Sequence, residues 1–299
     1  MANSKELLER INSVSLMQQM TKTMKLISAS KFVRSQNILF SSRKFIEELL
    51  NIGNVIIKNN SKTKNIIITN KSLVVAISSD KGFCGAFNNN ICKKVKELVT
   101  NNETEIMPIG KKIYSFVNKT NYNYNSENVD LLKKIDETVI KNLAISIYNK
   151  FSTGKYDNVI VIYNKFINAS SQVVTVENIL DKVDFIFEND GSENDLEKEN
   201  NNSDVDNNVG INVKDFIFES SKNDVDVFLK ENMFIYNFLR VIYESNASEH
   251  ASRMITMNKA NDNAESLIKS LRILYNQTRQ SAITNEIIEI SAGAKCLNK

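Results

Sequence analysis

The chain has 299 residues, 42% hydrophobic and 24% charged, with a formal net charge of +3, an ordinary balance for a soluble protein with one large core or two smaller ones. No stretch approaches 18 uninterrupted apolar residues, and the start MANSKELLERINSV lacks a basic-then-apolar leader, so neither a membrane-spanning helix nor a signal peptide is expected. Cys84, Cys92 and Cys296 have no metal-ligand spacing and read as reduced thiols of a cytosolic compartment, so any link to a membrane is expected to run through partners.

The first element is a long helix. Asn3 to Ile52 contains no glycine and no proline, and Leu7, Ile11, Val14, Met17, Met20, Met24 and Ile27 recur in steps of three and four, which predicts one apolar face. Gly53 is the expected stop. About 50 helical residues would reach roughly 75 Å, too long for the interior of a compact domain. Within this helix Lys22, Lys25, Lys31, Arg34, Arg43 and Lys44 follow one another with no acid between Met20 and Phe45. Such a block implies an acidic partner, protein or nucleic acid. A nucleic-acid-binding basic coiled coil finds no support from zinc ligands or an aromatic stacking platform.

The period then changes. SLVVAISSD (72–80) and DNVIVIYNKF (157–166) have strand length and β-branched content, and TEIMPIG (104–110) and SQVVTVENIL (171–180) predict two weaker strands. Helical patterns lie between them at 90–99 and 129–151. Strands alternating with helices predict an α/β domain with a Rossmann-like, mostly parallel sheet over 62–187. The loop SSDKGFCGAFNNNI (78–91) follows a strand and precedes a helix, where phosphates often bind, yet it is neither G-x-G-x-x-G nor a Walker A sequence. Gly82 and Gly85 are therefore read as turn glycines. His250 stands alone as a histidine, which removes a histidine-based metal site or catalytic triad and leaves it a surface or packing residue.

From Glu188 to Asn208 eight acidic residues face one lysine, a local −7 that leaves +10 on the rest of the chain. This insertion, 188–210, has too little apolar content to order itself. A connector, 211–223, leads into a second stretch without glycine or proline, Asp224 to Ala292. There Ala260, Ala264, Leu267, Leu271, Leu274, Thr278, Ser281, Asn285, Ile288 and Ala292 keep an average step of 3.5, the coiled-coil repeat. Helices over 1–58 and 224–299 are expected to pair antiparallel, with polar residues filling the seam near the C-terminal end.

Both ends carry a resemblance. ERINSVSLMQQMTKTMKLISASKFVRSQ (9–36) and ASEHASRMITMNKANDNAESLIKSLRILYNQTRQSAITNEIIEISAGA (247–294) resemble the terminal helices of the gamma subunit of F-type ATP synthases. The loop 78–91 and YNKFINASSQVVTVENIL (163–180) resemble that family's first strand-loop signature and its later strands. The resemblance implies a non-catalytic rotor, with no cofactor and no direct nucleotide binding or nucleic acid. It would turn inside the hexamer of alpha and beta subunits and stand on the epsilon subunit and the membrane c-ring. Proton or sodium flow through that ring would drive it. Arg279, Gln280, Arg253 and Met24 fall on family positions that meet the beta subunit, the first two at its catch loop. Lys22, Lys25, Lys31 and Arg34 would face acidic beta loops. FIFESS (216–221) stands where relatives carry an aromatic–Leu–aromatic–Glu–Pro foot, so Phe216, Phe218 and Glu219 would touch the c-ring and epsilon, without the hydroxyls of the usual tyrosines. The plant-type regulatory cysteine pair is missing. The start matches the family's mature start, which implies a bacterial protein, peripheral on the cytoplasmic face of the inner membrane.

Overall fold

The computed structural model describes residues 2–56, 72–99, 104–120, 122–133, 135–180 and 222–297. The insertion 188–210 and the foot residues Phe216, Phe218 and Glu219 lie outside the described residues. In chain order the elements are α1 (Ala2–Ile56), β1 (Ser72–Ile77), α2 (Phe87–Leu98), β2 (Glu105–Ile109) and α3 (Lys111–Lys119). A short 3-10 turn at Leu131–Lys133 precedes α4 (Glu137–Ser152), β3 (Asn158–Phe166), β4 (Gln172–Asn178) and α5 (Lys222–Leu297). The chain divides into two compact units. One holds Met1–Arg34, Phe83–Gly85 and His250–Lys299, the other Ser35–Gly82 and Ala86–Glu249.

The larger unit is a layered α/β domain. Its sheet runs β2-β1-β3-β4, with β1 parallel to both β2 and β3, and β4 antiparallel to β3. The mostly parallel expectation thus holds for three strands and gives way at the edge, where Asn168 turns the chain. Its carboxamide oxygen accepts from the backbone N–H groups of Ser170 and Ser171, closing a hairpin too short for a helical crossover. Every residue of β1 is buried, as a strand covered on both faces must be. Val74, Ala76, Ile106 and Ile162 pack under Ile91 and Val95 of α2 and Ile113 and Val117 of α3. On the other face Leu73, Val75, Ile77, Val161 and Tyr163 meet Ile140, Leu143 and Ile147 of α4, Ile46 of α1, and Phe234, Phe238 and Ile242 of α5. Pro108 sits in the edge strand β2, where its missing N–H leaves no central ladder bond unmade.

Several boundaries move. Gly53 does not end α1, which continues to Ile56. The expected helix 129–151 starts at Glu137, because the Asp136 carboxylate caps it by accepting from Thr138 N at 3.1 Å. And α3, over KKIYSFVNK, is a helix that the sequence pattern leaves unassigned.

The smaller unit is an antiparallel pair made by the first part of α1 and the last part of α5. Val14, Ile268 and Leu271 form its buried apolar cluster, with Leu7, Ile11 and Ala264 against it. Farther along, Lys25 Nζ donates to Asn258 Oδ1 at 2.5 Å.

The seam is not the one that hydrophobicity draws. On α1 the covered positions are Leu7, Ile11, Val14, Gln18, Thr21, Lys25, Ser28 and Phe32, while Met17, Met20, Met24 and Ile27 are exposed. On α5 they are Met257, Asn261, Ala264, Ile268, Leu271, Tyr275, Thr278 and Ala282. Leu267 (42% exposed), Leu274 (47%), Ser281 and Asn285 fall outside it. Both series step by three and four, so each keeps the 3.5 average and only contact with the partner helix selects between them.

Candidate interaction surfaces along the helix pair

Of the residues singled out in the helix pair, Arg279 and Gln280 are exposed on α5, flanking the covered Thr278. A shallow groove of about 440 Å³ beside them is lined by Gln277, Thr278, Ser281, Ala282 and Asn285. The Thr278 hydroxyl donates to Leu274 O at 2.9 Å and that of Thr284 to Gln280 O at 2.9 Å, so both are satisfied by their own helix. This polar band is local. Past Ala282 every described side chain is exposed, and Ile283, Ile287, Ile288 and Ile290 restore apolar surface toward the end.

Arg253 is in a different setting. It is buried, with Nη1 3.3 Å from His250 Nδ1. A guanidinium has only donors, so Nδ1 is the acceptor and the imidazole proton sits on Nε2. Burial, then the charges of Arg253 and Lys31, lower the His250 pKa to about 4. The imidazole is therefore neutral near pH 7, a packing residue as the sequence implies. Arg253, Lys31 and His250 come together, whereas Arg279 lies 26 residues along the same helix, roughly 39 Å at 1.5 Å per residue.

The basic run is partly consumed inside the chain. Lys25 bonds Asn258, and in the larger unit Arg43 Nη2 reaches Glu244 Oε1 at 3.1 Å and Phe166 O at 3.3 Å. Lys22, Lys31 and Arg34 remain exposed, as does Met24.

The loop after β1 caps the start of α3. Asp80 Oδ1 accepts from Lys111 N at 3.2 Å and Ser78 Oγ accepts from Ile113 N at 2.9 Å, occupying the first-turn donors of α3. Of the two glycines read as turn formers, Gly85 has φ +58° and Gly82 no positive φ. The residue between them that takes the left-handed conformation is Phe83, exposed at φ +63°. Ser252 Oγ donates to Cys84 O at 2.8 Å, and a side chain at Gly85 would stand 3.1 Å from Thr256 Oγ1, so this backbone lies close against α5. Among the described residues, no group of three or more His, Cys, Asp or Glu is arranged to hold a metal ion, and no helix is long and apolar enough to cross a membrane.

One cluster escapes the sequence reading. In the larger unit Arg240 Nη2 meets Glu177 Oε2 at 2.8 Å, and its Nη1 lies 3.3 Å from Glu244 Oε1. The Tyr163 hydroxyl stands 2.9 Å from Glu177 Oε1 and 3.2 Å from Glu244 Oε2. The available signal was charge set in apolar runs: Arg240 and Glu244 four residues apart in MFIYNFLRVIYES, and Glu177 in VVTVENIL.

Comparison with known proteins decides the family. The family model described as ATP synthase matches residues 3–297. An ATP synthase gamma chain of Amoebophilus asiaticus is 37% identical over 310 residues, covering 100% of both chains. The chain belongs to the ATP synthase gamma chain family. A second gamma chain, from Flavobacterium johnsoniae, is 34% identical over 310 residues with the same full coverage. Among solved structures, a chain of the Euglena gracilis mitochondrial ATP synthase OSCP/F1/c-ring assembly in rotational state 3 aligns at TM-score 0.68 and 20% identity. It covers 99% of this chain and 95% of that one. A chain of the Tetrahymena thermophila central stalk and c-ring aligns at TM-score 0.52 and 23% identity, over 81% of this chain and 99% of that one. Such likenesses place the gamma-chain fold. Membership over the full length also displaces the nucleic-acid reading of 20–45.

Proposed function

We propose that this chain is the central-stalk rotor of an F-type ATP synthase, coupling ion flow through a membrane c-ring to ATP synthesis in an alpha/beta hexamer by rotation. The observation that carries the reading is the gamma-chain family match over 3–297. The chain itself supplies no catalytic group. The helix pair turns within the hexamer, the α/β domain stands with epsilon and the c-ring, and the whole is held peripherally on the cytoplasmic face of a bacterial membrane.

A shaft must turn without being trapped. Apolar burial contributes about 25 cal/mol per Å², so a continuous apolar fit to a surrounding sleeve would favour one rotational position. The polar band at 277–281 weakens that preference, and Arg279 and Gln280 offer directional bonds that exchange as the shaft turns. These two are the proposed contacts of the beta catch loop, with Met24 and Arg253 toward beta. Lys22, Lys25, Lys31 and Arg34 face acidic loops, and Phe216, Phe218 and Glu219 meet the c-ring and epsilon. Arg253 is buried, so of the four residues proposed to meet beta its contact is the least accessible.

The test is affinity capture of the tagged chain from native membranes. Alpha and beta subunits should co-purify in stoichiometric amounts. Their absence, with nucleic acid recovered in their place, overturns the rotor reading.

A further inference from the structure

We propose that Arg43, Tyr163, Glu177, Arg240 and Glu244 form a torsion joint, the point at which the sheet grips both long helices and passes twist to them. The inference rests on the rotor reading above. All five residues belong to the larger unit, and they come from four elements: α1, β3, β4 and, for the last two, α5.

The bonding is closed and charge-balanced, two guanidiniums against two carboxyl groups. Arg240 bridges Glu177 on the sheet and Glu244 on its own helix, at 2.8 and 3.3 Å. Arg43 brings α1 to the same Glu244 oxygen and to the carbonyl of Phe166, at 3.1 and 3.3 Å. Tyr163 stands between the two carboxyl groups with one proton to donate. Burial, opposed by Arg240 but reinforced by Glu244 and Glu177, raises the Tyr163 pKa and keeps the phenol neutral. Burial would lower the Arg240 pKa, yet Tyr163, Glu177 and Glu244 outweigh it and hold the guanidinium charged.

Around the cluster the contact between sheet and helices is apolar, through Ile46, Phe234, Phe238, Leu239 and Ile242. Apolar contact is non-directional: it holds the layers together, and its resistance to turning comes from the shape of the packing rather than from bond direction. Charge-assisted hydrogen bonds are directional, and displacing one leaves a buried charge unpaired. Turning α5 about its own axis against the sheet would break several at once. Stability alone does not account for the cluster, because well-packed apolar residues of similar volume often stabilise as much or more. What the charges add is a fixed angular setting of both helices on the sheet.

The experiment uses the assembled complex in inverted membrane vesicles, measuring ATP hydrolysis and the membrane potential that it generates. Tyr163→Phe, Arg240→Gln and Arg240→Lys are compared with the natural chain. A softened joint slips under load, so Arg240→Gln should keep hydrolysis near normal while the potential generated per ATP falls. Tyr163→Phe should show a smaller fall of the same kind. Arg240→Lys, which keeps the charge without the fork, should lie between Arg240→Gln and the natural chain. A purely structural role predicts a lower melting temperature with the ratio of potential to hydrolysis unchanged, and that result overturns the joint. If Arg240→Gln does not assemble, Tyr163→Phe decides alone: an unchanged ratio overturns the proposal. Failure of the natural chain itself to assemble with the hexamer counts against the rotor reading rather than the joint.

Discussion

His250 shows how much one side chain depends on its neighbours. Arg253 and Lys31 stand beside a half-buried ring, which responds by staying neutral, with the pKa lowered to about 4. An unfolded histidine titrates near 6.5. As pH falls the unfolded chain therefore takes up its proton first, so stability is lost between about pH 6.5 and 4 and is level above that window. At about 1.4 kcal/mol per pKa unit the loss has an upper limit of about 3.5 kcal/mol. His250→Gln keeps an acceptor for Arg253 and removes the titration. We predict that urea unfolding of the purified chain at pH 7 and pH 4.5 shows a stability difference between natural and variant chains that narrows at the acidic value. An equal difference at both values would show that the imidazole is not held neutral.

At the scale of elements, the two candidate seams on α5 make opposite predictions. Ile268 and Leu271 are 7% and 6% exposed, whereas Leu267 and Leu274 are 42% and 47% exposed. Replacing Ile268 or Leu271 by Ala should destabilise the helix pair by about 2–4 kcal/mol, and the same change at Leu267 or Leu274 by well under 1 kcal/mol. Equal losses would restore the seam drawn from hydrophobicity. That contrast marks where the sequence stops being legible. The strands announce themselves, because residues such as Val74 and Val161 are β-branched and covered on both faces. The repeat on each long helix is legible too, but its phase is not: Met17, Met20, Met24 and Ile27 look like a buried stripe, yet Gln18, Thr21, Lys25 and Ser28 take the seam. A periodic sum cannot tell a stripe facing a helix of the same chain from one left for another protein. The ion cluster stayed hidden because Arg43, Tyr163, Glu177 and Glu244 meet only through the tertiary fold. On the same helix Arg279 and Gln280 lie off the seam, so Arg279→Ala with Gln280→Ala should leave folding and assembly intact. ATP turnover and ion pumping should fall together by about 1.5–3 kcal/mol, roughly tenfold to a hundredfold, the worth of charge-assisted bonds. Normal turnover of the assembled double variant would remove the catch-loop role, and failure to assemble would make the pair structural.

The whole molecule carries its charge in two opposed parts. Residues 190–207 hold seven acids and one lysine, so removing them takes the net charge from +3 to +9. A chain that fits among acidic loops gains attraction from a positive body, and an acidic segment tethered to it competes with those partners for the same charges. The segment is acidic and poor in apolar residues, so the effect predicted for it is electrostatic. Such an effect is screened at a Debye length of about 8 Å at physiological salt. We predict that a chain lacking 190–207 assembles with the hexamer and the c-ring, and that its coupled turnover at physiological salt stays within about twofold of normal, as screening requires. At low salt the deleted chain should be retained longer on a cation exchanger and should associate with the hexamer faster than the natural chain, with the difference vanishing as salt is raised. An association rate that does not respond to salt would show that the acidic segment does not act through charge. Loss of c-ring or epsilon binding in the deleted chain would show that 190–207 is itself a docking arm, with contacts specific enough to outweigh its cost of ordering.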